Sequence, residues 1–362
     1  MELSKTFRFQ SKNLTSFIPF SPIYNNPLKN HLSFRTKLNN RPKKIKLTVT
    51  AKRKAPIDGV SEELNDIASY NLDFAYSRRR VRSAFAEVQQ QLDHCLFKDA
   101  PAGIRAEEWY ERNSRGLEIF CKSWMPESGI PIKASVCFCH GYGDTCTFFF
   151  EGVARRIAAS GYAVFAMDYP GFGLSEGLHG YIPNFDDLVD DVIEHYTQIK
   201  ARPDLRELPR VLLGQSMGGA VSLKVYLKEP NNWDAVMLVA PMCKIADDVL
   251  PPDAVMKVLT LLSKVMPKAK LFPNKDLAEL AFREPSKRKL VSAPLLILHG
   301  AADKVTDPLV SKFLYENASS KDKTLKLYEN GYHCILEGEP DDRIKAVHDD
   351  IVSWLDSRCS VK

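Results

Sequence analysis

A serine at position 216 stands between Gly214 and the pair Gly218-Gly219 in the run Gly214-Gln215-Ser216-Met217-Gly218-Gly219. Apolar residues 211–213 precede it and residues 220–227 read as a helix. This is a G-x-S-x-G elbow in a strand–turn–helix setting, which holds a serine hydroxyl clear of its neighbours. A serine hydroxyl is a weak nucleophile at neutral pH and needs a base within hydrogen-bond reach. His333, in Glu329-Asn330-Gly331-Tyr332-His333, is the expected base, and Asp303 the carboxylate that fixes its tautomer. Asp307 stands directly before Pro308 and a helical run, so it reads as an N-cap with proline at N1. His299, at a strand end, and His348, inside a helix, read as structural. An oxyanion formed at Ser216 needs two backbone donors. The Met217 amide is one; Tyr142, in the glycine-rich run His140-Gly141-Tyr142-Gly143-Asp144, is expected to supply the other.

The elements that must position these groups are short, almost wholly apolar strands alternating with helices. Strands are expected at 134–139, 162–167, 210–213, 235–240, 295–298 and 324–328, after a hairpin of 106–112 and 117–124 turning at 113–116. Helices are expected at 147–159, 186–200 and 341–356. The pattern predicts an α/β fold with a mostly parallel sheet covered on both faces. In such sheets the ligand crevice lies beyond the carboxyl ends of the strands. Those ends here carry His140, Gly141, Asp168, Ser216, Asp303 and His333.

The 362-residue chain has a net charge of +5 that is unevenly spread. Residues 1–54 carry 13 Lys and Arg against one acid, Glu2, so the remainder is acidic and does not read as a nucleic-acid binder. No apolar run approaches the length of a membrane span. None of the eight cysteines makes a zinc spacing, and they read as small buried apolar residues in a reducing compartment. The spacing His94 to Asp99 matches an H-x-x-x-x-D pattern but precedes the sheet and reads as chance.

Residues 1–51 are basic, nearly acid-free and rich in Ser, Thr and Asn, the composition of a transit peptide. The ending Val49-Thr50-Ala51 favours a chloroplast address, with the mitochondrion as the alternative. Residues 52–104 form a helical extension whose Arg78-Arg79-Arg80 reads as a solvated face.

The stretches His140–Asp144, Asp168-Tyr169-Pro170-Gly171-Phe172-Gly173-Leu174-Ser175, Gly214–Gly219, His299-Gly300-Ala301-Ala302-Asp303 and Gly331-Tyr332-His333 resemble the monoglyceride lipase and lysophospholipase branch of the α/β-hydrolases, in its plant form. The likeness runs from about residue 105 to the C-terminus. It implies a serine hydrolase that cleaves a monoacylglycerol to fatty acid and glycerol with no metal or cofactor. Lysophospholipids and hydroxycinnamoyl esters are the alternative substrates, and a catalytically weak lid-deleted form is a further one. The resemblance also implies that His140 and Gly141 lie against the substrate, and that Asp144 holds its alcohol part; Asp144 alternatively caps the following helix. The hydrolase core then divides into 105–241 and 294–362 around a helical lid at 242–293. That interval passes almost directly from 286–290 to the next strand, so the lid is shorter than the family's. Its apolar helix at 254–262, beside Lys257, Lys264, Lys268 and Lys270, suits either transient membrane contact or cover for the site.

Overall fold

A computed structural model describes residues 61–242 and 291–359. The expected leader at 1–51 and nearly all of the lid interval lie outside the described residues. The chain divides into two compact units at Tyr70/Asn71. The first contributes helix α1 (Glu62–Ala68). The second carries α2 (Ala75–Gln90), α3 (Cys95–Lys98) and the whole sheet.

The sheet has eight strands: β1 (Arg105–Arg112), β2 (Glu118–Met125), β3 (Ser135–Cys139), β4 (Ala163–Met167), β5 (Arg210–Gln215), β6 (Ala235–Val239), β7 (Leu295–Gly300) and β8 (Lys323–Tyr328). Their order is β1-β2-β4-β3-β5-β6-β7-β8. The β1/β2 and β2/β4 pairs are antiparallel and all later pairs parallel. Every residue of β3, β4, β6 and β7 is buried, as expected for strands with helices on both sides.

Alternation along the strands divides the core in two. Cys137, Cys139, Phe165, Leu212 and Leu238 pack with Val192 and Tyr196 of α5 (Phe185–Lys200) and Val221 and Val225 of α6 (Met217–Lys228). Phe138, Val164, Leu213 and Met237 pack on the other face with Val153 and Ile157 of α4 (Phe149–Ala159) and Ile351 and Leu355 of α8 (Asp341–Asp356). Burying one such side chain stabilises the fold by about 1.5–3 kcal/mol. The cysteines at 137 and 139 therefore sit on one face, fully buried and unpaired. Helix α7 (Pro308–Asn317) links β7 to β8 and begins on the Asp307 cap, whose carboxylate accepts from Leu309 N at 2.9 Å.

Two expectations change. Helix α4 starts at Phe149 rather than 147, and its N-cap, Phe148, makes no side-chain cap bond. Asp144 thus does not cap it. The run Arg78–Arg80 is not a solvated face, because Arg78 is 7% exposed. Its guanidinium donates to the carbonyls of Leu72, Asp73, Gly173 and Ser175. Arg79 donates to Leu174 O and Glu118, while Arg80 is exposed. Burial holds the Arg78 guanidinium down to about 10, with Asp168 opposing that shift. The carbonyls of the 173–175 loop explain the reversal: Gly173 O and Ser175 O take their donors from Arg78, and Leu174 O takes its donor from Arg79.

Candidate active site

Strand β5 ends at Gln215 and α6 begins at Met217, so Ser216 alone makes the turn. It adopts φ 53°, ψ −122°, a conformation that L residues seldom occupy and that marks stored strain. Three backbone bonds hold it there: Ser216 N to Val239 O, and Ser216 O from Gly219 N and Met242 N, at 2.8–3.0 Å. The flanking glycines are steric requirements. A Cβ on Gly218 would run into Cys139 O, and one on Gly219 would come within 2.6 Å of Pro241.

His333 Nε2 lies 2.9 Å from Ser216 Oγ, and its Nδ1 lies 2.7 Å from Asp303 Oδ2. A carboxylate only accepts, so Nδ1 carries the proton and Nε2 is free to accept from the serine. The Asp303 side chain is fully buried. Its Oδ1 accepts from Val305 N at 2.7 Å and Thr306 N at 3.1 Å. Its Oδ2 also accepts from Thr306 Oγ1 at 2.8 Å and lies 3.0 Å from His299 Nε2. Burial alone would raise this carboxyl. The bonds from His299, His333 and the Val305 amide outweigh it and hold Asp303 well below the usual carboxylate range. His299 thus supports the acid, with Nδ1 placed 2.7 Å from Ser311 Oγ.

The loop after β3 approaches the nucleophile: a Cβ on Gly141 would lie 3.3 Å from Ser216 Cβ. Among the described residues, neither the Tyr142 nor the Met217 amide donates to a protein acceptor. His140 is placed differently from expectation. It is fully buried, stacks on Tyr169 at 3.9 Å, donates from Nδ1 to Gly141 O and accepts at Nε2 from Tyr169 N. Both ring nitrogens are engaged, so it shapes the loop and offers nothing to a substrate. Asp168 staples this loop to the next. Its Oδ1 accepts from Cys146 N and Thr145 Oγ1 and its Oδ2 from Leu174 N, all at 2.8 Å.

Asp144 follows a turn closed by Asp144 N donating to Gly141 O, and its Oδ1 accepts from Thr145 N at 2.7 Å. Sequence reasoning missed Glu337, which no motif marks. Gln215, the residue before the nucleophile, donates from Nε2 to both Glu337 oxygens at 2.9 and 3.1 Å. Thr306 was also missed.

Among the described residues, Glu111, Cys121 and His195 bring metal-type ligand atoms together. They lie on β1, β2 and α5; strands β4 and β3 separate β2 from β5 and Ser216. His195 Nδ1 is already 2.7 Å from Glu111 Oε1, so the group reads as a buried hydrogen-bonded cluster.

A sequence profile described as "Serine aminopeptidase, S33" matches residues 130–293 and 286–341. Caffeoylshikimate esterase of Arabidopsis thaliana is 31% identical over 290 positions, covering 71% of this chain and 87% of that protein. Monoglyceride lipase of Rattus norvegicus is 29% identical over 280 positions, covering 69% and 90%. Each alignment is longer than the part of this chain it takes in; about 30 positions are filled in the relative and empty here. Among solved structures, a soluble variant of monoglyceride lipase from Saccharomyces cerevisiae superposes with TM-score 0.58 at 21% identity, covering 70% of this chain and 96% of that one. Monoacylglycerol lipase of Paleococcus ferrophilus gives 0.55, also at 21% identity, covering 66% and 98%. These two likenesses establish the fold.

Proposed function

The chain belongs to the serine aminopeptidase S33 family of α/β-hydrolases, and from that premise we propose that it hydrolyses the carboxylic ester of a monoacylglycerol through an acyl-enzyme at Ser216. The observation that carries the reading is the line Ser216 Oγ–His333–Asp303, with contacts of 2.9 and 2.7 Å. Ser216 Oγ attacks the ester carbonyl carbon while His333 Nε2 takes its proton. Asp303 stabilises the imidazolium so formed, and the Tyr142 and Met217 amides receive the oxyanion. Collapse breaks the bond to the alcohol oxygen, which leaves with the proton from His333. Water, deprotonated by the same imidazole, then releases the fatty acid and restores Ser216. No step calls for a metal or cofactor. Ser216→Ala is expected to abolish both fluorophosphonate labelling and turnover of monoolein; hydrolysis retained by a folded variant rules the reading out.

A second reading keeps the chemistry and changes the ester, and the likeness to caffeoylshikimate esterase favours it. Parallel rates on monoolein, lysophosphatidylcholine and caffeoyl shikimate rank the candidates. Residues 1–51 are assigned to chloroplast import on their composition; a fluorescent fusion of residues 1–60 that stays in the cytosol removes that assignment. The gap of about 30 positions, and the meeting of the two profile matches at 286–293, support a shortened lid. With less cover, grip on a long acyl chain weakens, so KM should fall less steeply with acyl length than in a full-lid relative.

A further inference from the structure

The turn that carries the base is held by groups outside the triad. It begins at His333, whose carbonyl accepts from Ile335 N at 3.1 Å, and it closes with Glu337 N and Gly338 N donating to Cys334 O. Ile335 and Leu336 are fully buried. Two successive carbonyls of the turn accept from imidazoles: Leu336 O from His348 Nε2 at 3.0 Å, and Glu337 O from His94 Nε2 at 2.8 Å. The Glu337 side chain is bound as well, since Gln215 Nε2 donates to both of its oxygens at 2.9 and 3.1 Å. Gln215 is the residue before Ser216. Glu337 therefore ties the strand that ends at the nucleophile to the turn that starts at the base.

His94 stands just before α3, 243 residues from Glu337. Its Nδ1 accepts from Leu96 N at 3.1 Å. A carbonyl only accepts and an amide N–H only donates, so one neutral tautomer, protonated at Nε2, serves both partners. The ring lies against Phe149, the first residue of α4, with centroids 4.9 Å apart. At the far end of the His94 to Asp99 spacing, Asp99 N closes α3 by donating to Cys95 O. The spacing that reads as chance in the sequence thus has a use in the fold. Both ring nitrogens of His94 are engaged, so it has no free base to offer; what it governs is the Glu337 carbonyl.

We propose that His94 is a positioning residue for the ester hydrolysis. By holding Glu337 O it fixes the turn on which His333 approaches Ser216, and so maintains the 2.9 Å contact between Nε2 and Oγ. The inference rests on Ser216 being the esterase nucleophile. A reacting group misplaced by about 1 Å can cost about a hundredfold in rate. With His348 and Gln215 still holding the turn, loss of the His94 bond is expected to cost on the order of tenfold. His333 serves acylation and deacylation alike, so the loss falls on kcat and leaves KM within about twofold.

Two substitutions separate this role from the capping of α3. Asparagine places an oxygen as many bonds from Cβ as Nδ1, so it can accept from Leu96 N but falls short of Glu337 O. Glutamine places an NH2 as many bonds from Cβ as Nε2, so it can donate to Glu337 O but gives up the bond to Leu96 N. Each variant is made in the full chain and measured for kcat and KM on octanoyl glycerol, for the rate of fluorophosphonate labelling at Ser216, and for its urea midpoint. His94→Asn should lose on the order of tenfold in kcat and in labelling rate, with KM and the urea midpoint close to wild type. His94→Gln should recover both rates to within about threefold of wild type. Full activity in His94→Asn overturns the proposal, and so do equal losses in the two variants or a loss carried by KM. A His94→Asn chain that does not fold overturns it too, because the imidazole is then needed for stability and not for placing the base. If the wild type neither cleaves octanoyl glycerol nor takes fluorophosphonate at Ser216, the esterase reading itself falls and this proposal with it.

Discussion

Replacing Asp303 by asparagine removes one negative charge and turns one acceptor into a donor. The oxygen of the new amide has two places to go. At Oδ1 it keeps the Val305 and Thr306 backbone amides, which cannot rotate away; at Oδ2 it would leave an NH2 group facing those two N–H groups. The first arrangement wins, and the NH2 then points at His333 Nδ1, Thr306 Oγ1 and His299 Nε2. Thr306 Oγ1 can switch to accepting one amide hydrogen, while His299 Nε2 keeps its proton and donates to Thr306 O at 3.3 Å. The fold therefore loses only about 1–3 kcal/mol. His333 must also accept at Nδ1, which moves its proton to Nε2 and leaves Ser216 facing a donor instead of a base. In the serine-protease case the same change costs about 10⁴ in kcat, or roughly 5.5 kcal/mol of barrier. A loss of that order is expected for Asp303→Asn, read by single-turnover acylation with an activated ester and by the rate of fluorophosphonate labelling. Asp307→Ala is the control. It removes a helix cap worth about 0.5–2 kcal/mol and should leave the acylation rate within about twofold. More than a tenth of wild-type rate in Asp303→Asn, or a hundredfold loss in Asp307→Ala, refutes the assignment of the acid.

Arg78→Met keeps the bulk of the side chain but strips donors from the carbonyls of Leu72, Asp73, Gly173 and Ser175. A loss of about 2–5 kcal/mol is expected in urea unfolding, against about 1 kcal/mol or less for the half-buried Arg79–Glu118 pair in Arg79→Met. Equal losses in the two variants would contradict the carbonyl clamp. Buried His348 is held down to about 4, by burial first and then by the Arg156 charge. Between that value and about 6.5, the unfolded chain binds a proton that the folded chain refuses, so stability rises with pH across the window. The contribution lost on going from pH 7 to pH 4 is about 3 kcal/mol. His348→Gln, whose amide can still donate to Leu336 O, should show a shallower acid limb; an unchanged slope means that His348 does not titrate in that range.

The sheet was legible because its parallel strands are buried on both faces, and uninterrupted apolar runs such as 235–239 have no other use. Ser216, Asp303 and His333 were legible because each stands where an apolar run stops. Arg78 was not, since its partners lie up to 97 residues away and nothing local distinguishes it from Arg80. His140 was read as facing substrate from its place in a motif, whereas two backbone contacts decide its orientation. Glu337 was invisible for the same reason: its partner is Gln215, 122 residues away, which the turn meets only once the sheet has closed. Non-local hydrogen bonding, rather than hydrophobic pattern, separates what a linear reading recovers from what it misses.

A non-glycine residue in the sparsely populated conformation of Ser216 costs of order 1–3 kcal/mol, and the serine hydroxyl supplies no hydrogen bond that the fold needs. Glycine at 216 would relax the turn and keep all three backbone bonds. For this chain the inert sequence is therefore the more comfortable one: loss of the nucleophile runs downhill in folding energy, and heat tolerance and reactivity pull the same position in opposite directions.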